Sequence, residues 1–502
     1  MSLFATKSIT ALKREAEATG EKTLSRTLGP INLLTLGIGA IVGAGIFVLT
    51  GVAAALHAGP AVALSMVAAG IGCGFAGLCY AEMASAVPVA GSAYTYSYAT
   101  MGEFVAWIIG WDLILEYGMG AATVGVGWSA SFVSFLNMIG IHLPDKFINA
   151  PLGFCTAIQV TQQVAGCAAP GWHATGAIIN LPAVLIILAI SALLTIGIKE
   201  SANFNSAMVV VKVGVLVLFV AFGAMYVNKA NWTPFIPANT GEWGTYGWSG
   251  VLRGAGLIFF AFIGFDAVST AAQEAKNPKR DMPLAILGSL LICTALYVAV
   301  SVVLTGLASY KDLNVASPVI MVVERIQGLA WFRPVVTIGA VLGLGSTMVV
   351  MLIGQTRVFY SMSRDGLIGG FASKVHPKYR TPYLSTILTG ITVAAVTGFF
   401  PIQILGLMVN IGTLLAFVLV CGGVWILRHK RPDLERPFRT PFVPLVPILG
   451  MLCCLGLMAT LPWETWERLG IWLALGCIIY FFYGRHHSTL TRGTDGQIAS
   501  DR

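Results

Sequence analysis

Twelve separate apolar runs, each about as long as a membrane-crossing helix, constrain this chain more than any single motif in it. A helix needs about 20 mostly apolar residues to cross about 30 Å of hydrocarbon. Runs of that kind fall at residues 30–54, 60–83, 101–137, 177–197, 204–227, 249–272, 283–307, 334–360, 382–400, 403–427, 441–461 and 466–484. Charged residues make up 10% of the chain and hydrophobic ones 56%, with a mean hydropathy of +0.81. A soluble domain carries about 25% charged residues. The expectation is an all-α integral membrane protein with 12 transmembrane helices. The first run is too long and glycine-rich for a cleaved signal and lacks a small-residue cleavage site.

Lysine and arginine set the orientation, because cytoplasmic loops are enriched in them. With the N-terminus inside, the outer loops hold six: Lys146, Lys229, Lys311, Arg325, Arg333 and Arg468. Twenty-one others then fall on the inner side, from Lys7 to Arg502. Both termini are therefore expected in the cytoplasm, and the net charge of +8 reflects this loop bias rather than affinity for nucleic acid. Residues 1–29 form a cytoplasmic N-terminal segment, with a short polar surface helix expected over 8–28. Residues 30–484 form a single transmembrane domain, and 485–502 a cytoplasmic tail.

Two of the runs are interrupted. The first carries Gly39-Ala40-Ile41-Val42-Gly43-Ala44-Gly45-Ile46-Phe47, and each glycine costs about 1 kcal/mol against alanine inside a helix. An opened backbone at membrane depth is tolerated only when buried in protein or lining a watery cavity. Such a break leaves free carbonyls on the first half-helix, which suit a cation, and free N–H groups on the second, which suit a carboxylate. A molecule carrying both charges on one carbon satisfies both ends. Close helix packing by Gly39 and Gly43 is the competing reading. The sixth run repeats the theme with Gly254, Gly256, Phe259, Phe260, Ala261, Phe262, Ile263, Gly264, Phe265 and Asp266. Two interrupted runs five apart predict two inverted five-helix repeats, over about 30–227 and 249–427, with helices 11 and 12 added at about 441–484. Phe260, Phe262 and Phe265 either close over a ligand or pack.

Ionisable residues inside spans are expensive and point to function. Asp112 and Glu116 lie one turn apart on one face of the third run. Glu116 is about 13 residues deep, roughly 20 Å at 1.5 Å per residue, too far to reach the surface easily. Lys212 in the fifth run lies about 8 residues deep, roughly 12 Å. It is either an ammonium fixed on the carbonyls of the broken first helix or a group that exchanges its proton in each cycle, and the two are compatible. Tyr94, Tyr96 and Tyr98 follow the second run in an inward loop and read as an interfacial aromatic belt, with a gate at the inner mouth as the alternative. Cys155 and Cys167 share an outward loop and are a candidate disulfide pair. The histidines, His57, His142, His173, His376, His429, His486 and His487, are expected in loops or tails, so no metal-ligand cluster is expected. A membrane-embedded enzyme is thereby disfavoured, and no repeated charge or carbonyl ring suggests a channel filter.

Residues 39–47 (GAIVGAGIF), 259–283 (FFAFIGFDAVSTAAQEAKNPKRDMP), 354–368 (GQTRVFYSMSRDGLI), 375–382 (VHPKYRTP) and 436–450 (RPFRTPFVPLVPILG) together resemble the amino acid–polyamine–organocation (APC) transporters, most closely their bacterial cationic amino acid transporter branch. The resemblance covers essentially the whole chain. It implies the five-plus-five inverted-repeat (LeuT-type) fold with broken helices 1 and 6 and two extra helices, working by alternating access in the bacterial cytoplasmic membrane. By similarity, Gly43, Ala44 and Gly45 would present N–H groups to a substrate carboxylate. Carbonyls of Ile41, Phe260, Ala261 and Ile263 would receive its ammonium group. The resemblance also makes Lys212 the proton-coupling residue, and the depth of Glu116 in its run makes that carboxyl a second candidate. Ala44 departs from the Thr or Ser often found at its position.

The eighth-run stretch Gly343-Leu344-Gly345-Ser346-Thr347-Met348 is expected to face the pocket and carries no charge. Leu344 favours small or apolar side chains. The expected function is proton-coupled uptake of small neutral amino acids such as alanine. A carrier of arginine, lysine or ornithine and an amino acid exchanger are the alternatives, and a sensor without transport is a more remote one. The expected partners are an amino acid and the lipid bilayer, with the proton as coupling ion and no cofactor, metal, nucleic acid or obligate protein partner.

Overall fold

Proline at or next to the first helical position fixes where several helices begin, because its missing N–H is one the first turn leaves unbonded anyway. Pro30, Pro278, Pro318 and Pro334 all start helices in this way in the computed structural model. The structure describes residues 3–10, 12, 28–89, 91–155, 159–160, 167–196, 199–315, 317–377, 379 and 381–490. Helix α1 spans Pro30–Ile41, α2 Val62–Ala86, α3 Ala93–Thr100 and α4 Glu103–Met138. A hairpin of β1 (Leu152–Cys155) and β2 (Gly171–Ala174) follows. Then come α5 (Leu181–Ile196), α6 (Lys199–Gly223), α7 (Gly247–Ile258), the short α8 (Ala267–Thr270), α9 (Pro278–Leu307) and α10 (Pro318–Arg325). Helices α11 (Arg333–Arg364), α12 (Tyr383–Phe399), α13 (Ile402–Lys430), α14 (Leu445–Thr460) and α15 (Trp463–Ile479) complete the chain's main elements.

Among the described residues, eight helical stretches are long and apolar enough to cross a membrane, and α5, α12 and α14 are shorter apolar helices. The stretch Pro30–Ala86 is 57 residues long, about 85 Å if helical throughout, which is enough for two crossings. It turns at Gly59, whose φ of +61° suits a residue without Cβ. The chain is thus a multi-pass membrane protein. At its centre the two long helices α4 and α11 lie along each other, α9 packs on α1 and α2, and α13 packs on α4 and α14. The interrupted segments sit inside this frame, and Phe259–Phe262 is buried throughout.

The described chain is mostly helical, as expected, with one small addition: β1 and β2 pair antiparallel with Leu152 opposite Ala174 and Cys155 opposite Gly171. Strands of four residues carry too little periodicity to be read from sequence. Two expectations are corrected. Tyr94, Tyr96 and Tyr98 are not at an interface: each is about 1% exposed on helix α3. Tyr94 donates to Asp365 at 2.6 Å and Tyr98 to Glu103 at 2.8 Å, so the partners that bury them come from elsewhere in the chain. His57 is not in a loop. It is buried in the helical turn Ala54–Ala58, with Nδ1 2.8 Å from the Gly244 carbonyl. The expected surface helix over 8–28 and the tail beyond Leu490 lie largely outside the described residues.

Candidate functional site

Helix α1 ends because Val42 leaves helical geometry at φ −74°, ψ 89°, and a wider helical turn, Gly45–Leu49, resumes after Gly43 and Ala44. The break exposes carbonyls that α1 no longer uses, and each of three finds a side-chain donor. Lys212 Nζ donates to the carbonyls of Gly39 at 2.7 Å and Val42 at 2.8 Å, and to Ser346 Oγ at 2.8 Å. Those three contacts match the three N–H groups of an ammonium. Thr347 Oγ1 lies 2.9 Å from the same two carbonyls, and Tyr297 donates to the Ile41 carbonyl at 2.7 Å. Lys212 is fully buried. The N–H groups of Gly43, Ala44 and Gly45 fall in the first turn of the second half-helix, where a helix has no internal acceptor to offer.

The second break follows α7. A tight turn over Phe259–Phe262 leads to an extended Ile263 and to Gly264 at φ +120°. Its carbonyls at Gly256 and Leu257 are held by the side-chain amide of Asn410 on α13, at 2.9 and 2.8 Å. On the far side the Asp266 carboxylate accepts the Gly264 N–H at 3.1 Å and the Tyr117 hydroxyl at 2.7 Å. Asp266 therefore holds the bent backbone and is not a bare charge offered to a cavity.

The two breaks touch. A Cβ on Gly45 would lie 2.3 Å from the Ala261 Cα, and one on Gly264 would lie 2.7 Å from the Ala40 Cβ. A Cβ on Gly43 would lie 3.0 Å from the Thr347 Cγ2, and Ala44 faces Gly127 of α4. Ile41, Gly43, Ala44, Gly45, Phe260, Ala261, Ile263 and Leu344 are all buried, and the six from the breaks' contact zone, Gly43 to Gly45, Phe260, Ala261 and Ile263, surround one crossing of two opened backbones. Phe262 packs on Tyr297, and Phe265 on Tyr80 and Phe417, so these two rings pack within the protein. Ser346 and Thr347 belong to the lysine's cage. Glu116 is fully buried on α4 in electrostatic reach of Asp266 and Asp112. Neither of its oxygens has a hydrogen-bonding partner of good geometry among the described residues.

Two opened helices thus cross at depth, with the first-turn N–H groups of Gly43 to Gly45 on one side and the Gly39 and Val42 carbonyls held by Lys212 on the other. The sequence profile of the amino acid permease family matches residues 28–483. The chain belongs to that family. The permease is 49% identical over 493 residues to a branched-chain amino acid permease of Bacillus subtilis, covering 98% of this chain and 99% of that one. It is 42% identical over 491 residues to a methylthioribose transporter of the same organism, covering 98% and 100%. A vacuolar cationic amino acid transporter of Arabidopsis thaliana is more distant, 35% identical over 415 residues, 82% of this chain and 65% of that one. The permease is accordingly a transporter and not an enzyme.

The permease differs at its two ends. At the lysine- and arginine-rich end, Arg357 pairs with Glu274 at 2.5 Å with both side chains about 10% exposed. Lys7 pairs with Asp365 at 2.9 Å, and Leu28 forms a bridge with Ala275. At the other end a cavity of about 420 Å³ opens between Val52, Leu257, Ile404, Arg253, Glu464 and Arg468. Cys155 in its wall is disulfide-bonded to Cys167. Tyr297, Tyr117 and Asn410 hold the breaks and were passed over by the sequence reading, and Thr347 was expected at the pocket wall rather than on the carbonyls of Gly39 and Val42. A lone asparagine within the apolar stretch Leu405–Phe417 was the one available signal, since a buried amide in a span needs partners.

Proposed function

We propose that this permease is a secondary transporter that takes up neutral aliphatic L-amino acids, from alanine to the branched-chain members, coupled to protons. In this reading it adopts the twelve-helix, five-plus-five arrangement in a bacterial cytoplasmic membrane with both termini inside. The single observation that carries it is the Lys212 ammonium bridging the Gly39 and Val42 carbonyls of α1 to Ser346 of α11. A neutral amine has two N–H groups and a lone pair, so it cannot serve three acceptors. Losing the proton therefore releases one tie between the first half-helix and α11, and the geometry of the break changes with it. Glu116, buried without a good hydrogen bond, is the second candidate to hold a proton, next to Asp266 behind the other break.

The substrate carboxylate would take the N–H groups of Gly43, Ala44 and Gly45, and the ammonium group would take carbonyls at Ile41, Phe260, Ala261 and Ile263. Ile41 already accepts from Tyr297, and a carbonyl has a second lone pair for the substrate. A cationic side chain would want a carboxylate, yet Asp266 is occupied by Gly264 and Tyr117. Apolar surroundings and the branched-chain relative favour aliphatic substrates. The closed basic end and the open opposite end correspond to an outward-facing stage of alternating access.

The test is uptake of labelled leucine, alanine and arginine into proteoliposomes with an inward proton gradient, with unlabelled methylthioribose as competitor. Accumulation of leucine and alanine that a protonophore collapses is the expected result. Arginine uptake without leucine or alanine uptake, leucine uptake that methylthioribose suppresses more strongly than unlabelled leucine does, or flux only into liposomes preloaded with amino acid would overturn the substrate or the coupling.

A further inference from the structure

The cavity at the open end lies outside the crossing of the broken helices. It is bounded by Val52, seven residues and about 10 Å of helix beyond Gly45, and by Leu257, two residues before the second break. Its volume of about 420 Å³ falls in the range of about 300–1,000 Å³ for small-molecule sites. Leu257, Ile404, Leu407 and Leu461 give it an aliphatic wall.

Three charged side chains share the same space: Arg253 from α7, and Glu464 and Arg468 one turn apart on α15. The Arg468 guanidinium lies 5.5 Å from the centre of the Phe154 ring and that of Arg253 5.8 Å from Trp243. Stacking of this kind fixes the plane of a guanidinium and leaves its edge donors available. Arg253 uses one arm on the Thr460 carbonyl, and five N–H groups leave it a remaining fork. Glu464 is exposed and in electrostatic reach of both arginines. Arg253, Arg468 and Glu464 stand above an aliphatic wall, with Glu467 also in electrostatic reach of Arg468, and suit a carboxylate with an ammonium group beside it and an apolar side chain below.

We propose that this cavity is a second amino acid site, where the carboxylate of an aliphatic amino acid docks on Arg468 and Arg253 and its ammonium group on Glu464 before it moves inward to the broken helices. The station rests on the reading of the permease as a carrier of neutral amino acids. It raises the local concentration of zwitterion at the mouth, so its loss lowers capture and leaves the translocation step alone.

The experiment measures leucine uptake against concentration in proteoliposomes, and equilibrium leucine binding to the purified full-length protein, for wild type, Arg468→Gln, Glu464→Gln and Arg468→Lys. Both neutralising variants are expected to raise half-saturation about five- to tenfold, the size of effect of one ordinary hydrogen bond lost, with the maximal rate kept. Binding is expected to fall from two leucines per protein to one, and Arg468→Lys to recover part of the loss. The two positions lie at the cavity rim, and Glu464→Gln decides the matter if Arg468→Gln does not fold. Unchanged half-saturation and stoichiometry in the variants, with normal wild-type uptake, overturns the station alone. A wild-type protein that neither binds nor carries leucine or alanine overturns the neutral amino acid reading and the station together.

Discussion

At the first break, the carbonyls of Gly39 and Val42 are held by the ammonium of Lys212 together with the Thr347 hydroxyl. At the second, those of Gly256 and Leu257 are held by the neutral amide of Asn410, and the Gly264 N–H by the Asp266 carboxylate. Both breaks leave backbone groups that hydrocarbon will not tolerate, and both recruit a side chain from another helix to hold them. The difference is what a proton can do. An amide keeps its donors at every working pH, whereas an amine gains or loses one with its proton. On the proposed mechanism the first break is the one that changes with protonation, and the second is the fixed side against which it moves.

Lys212→Ala breaks that comparison most severely. It removes the three donors of the cage, so accumulation of leucine under an inward proton gradient is expected to fall to the level of protein-free liposomes. Accumulation that survives at a fixed gradient would take Lys212 out of the coupling. Gly45→Val comes next, because its Cβ would sit 2.3 Å from the Ala261 backbone and must push the two breaks apart. Uptake is expected to be lost, while Gly43→Ala, whose Cβ meets only the Thr347 side chain, its methyl at 3.0 Å and its hydroxyl at 3.3 Å, keeps part of it. Equal loss in both variants, followed by leucine uptake, would mean that the crossing of the breaks is not the sensitive contact.

The interruption of both helices was legible in the glycines, and the depth of Lys212 in its run pointed at the carbonyls it meets. What was not legible came from residues on other helices, most of them far apart in sequence. Tyr94, Tyr96 and Tyr98 read as an interface until Asp365 and Glu103, brought in by other helices, are seen to hold two of the hydroxyls. Ser346 and Thr347 read as pocket wall because nothing local says that Lys212 lies on that side; a Cβ on Gly343 would stand 3.0 Å from the Lys212 Cβ. Arg253, Glu464 and Arg468 share a cavity only once α7 and α15 are placed. Asp266 was legible as an acid at depth, but its partners Gly264 and Tyr117 depend on the bend that it holds.

Asn410→Ala sharpens the contrast from the other side. The Gly256 and Leu257 carbonyls would lose their donor, at a cost of about 1–3 kcal/mol for a buried group left unsatisfied. Thermal unfolding followed by size-exclusion chromatography in detergent should show the loss. The ratio of leucine uptake with and without the proton gradient should stay at its wild-type value, because no charge has been removed. A variant that keeps its stability and loses its dependence on the gradient would show that the neutral cap also takes part in coupling.

The smallest effect is expected from Asp266→Asn. An asparagine oxygen still accepts the Gly264 N–H, and its amide can donate to the Tyr117 hydroxyl, which then serves as acceptor. Both contacts that hold the bend survive without a negative charge, so leucine uptake and its gradient dependence are expected to stay within about twofold of wild type, under half a kcal/mol. A folded Asp266→Asn protein whose uptake no longer responds to the gradient would make the carboxylate a proton carrier. The second break would then be as chargeable as the first, and Glu116, in electrostatic reach of Asp266, would become its natural proton partner. Retained gradient dependence leaves Asp266 as a device for bending backbone, and keeps the proton's effect on helix geometry at Lys212.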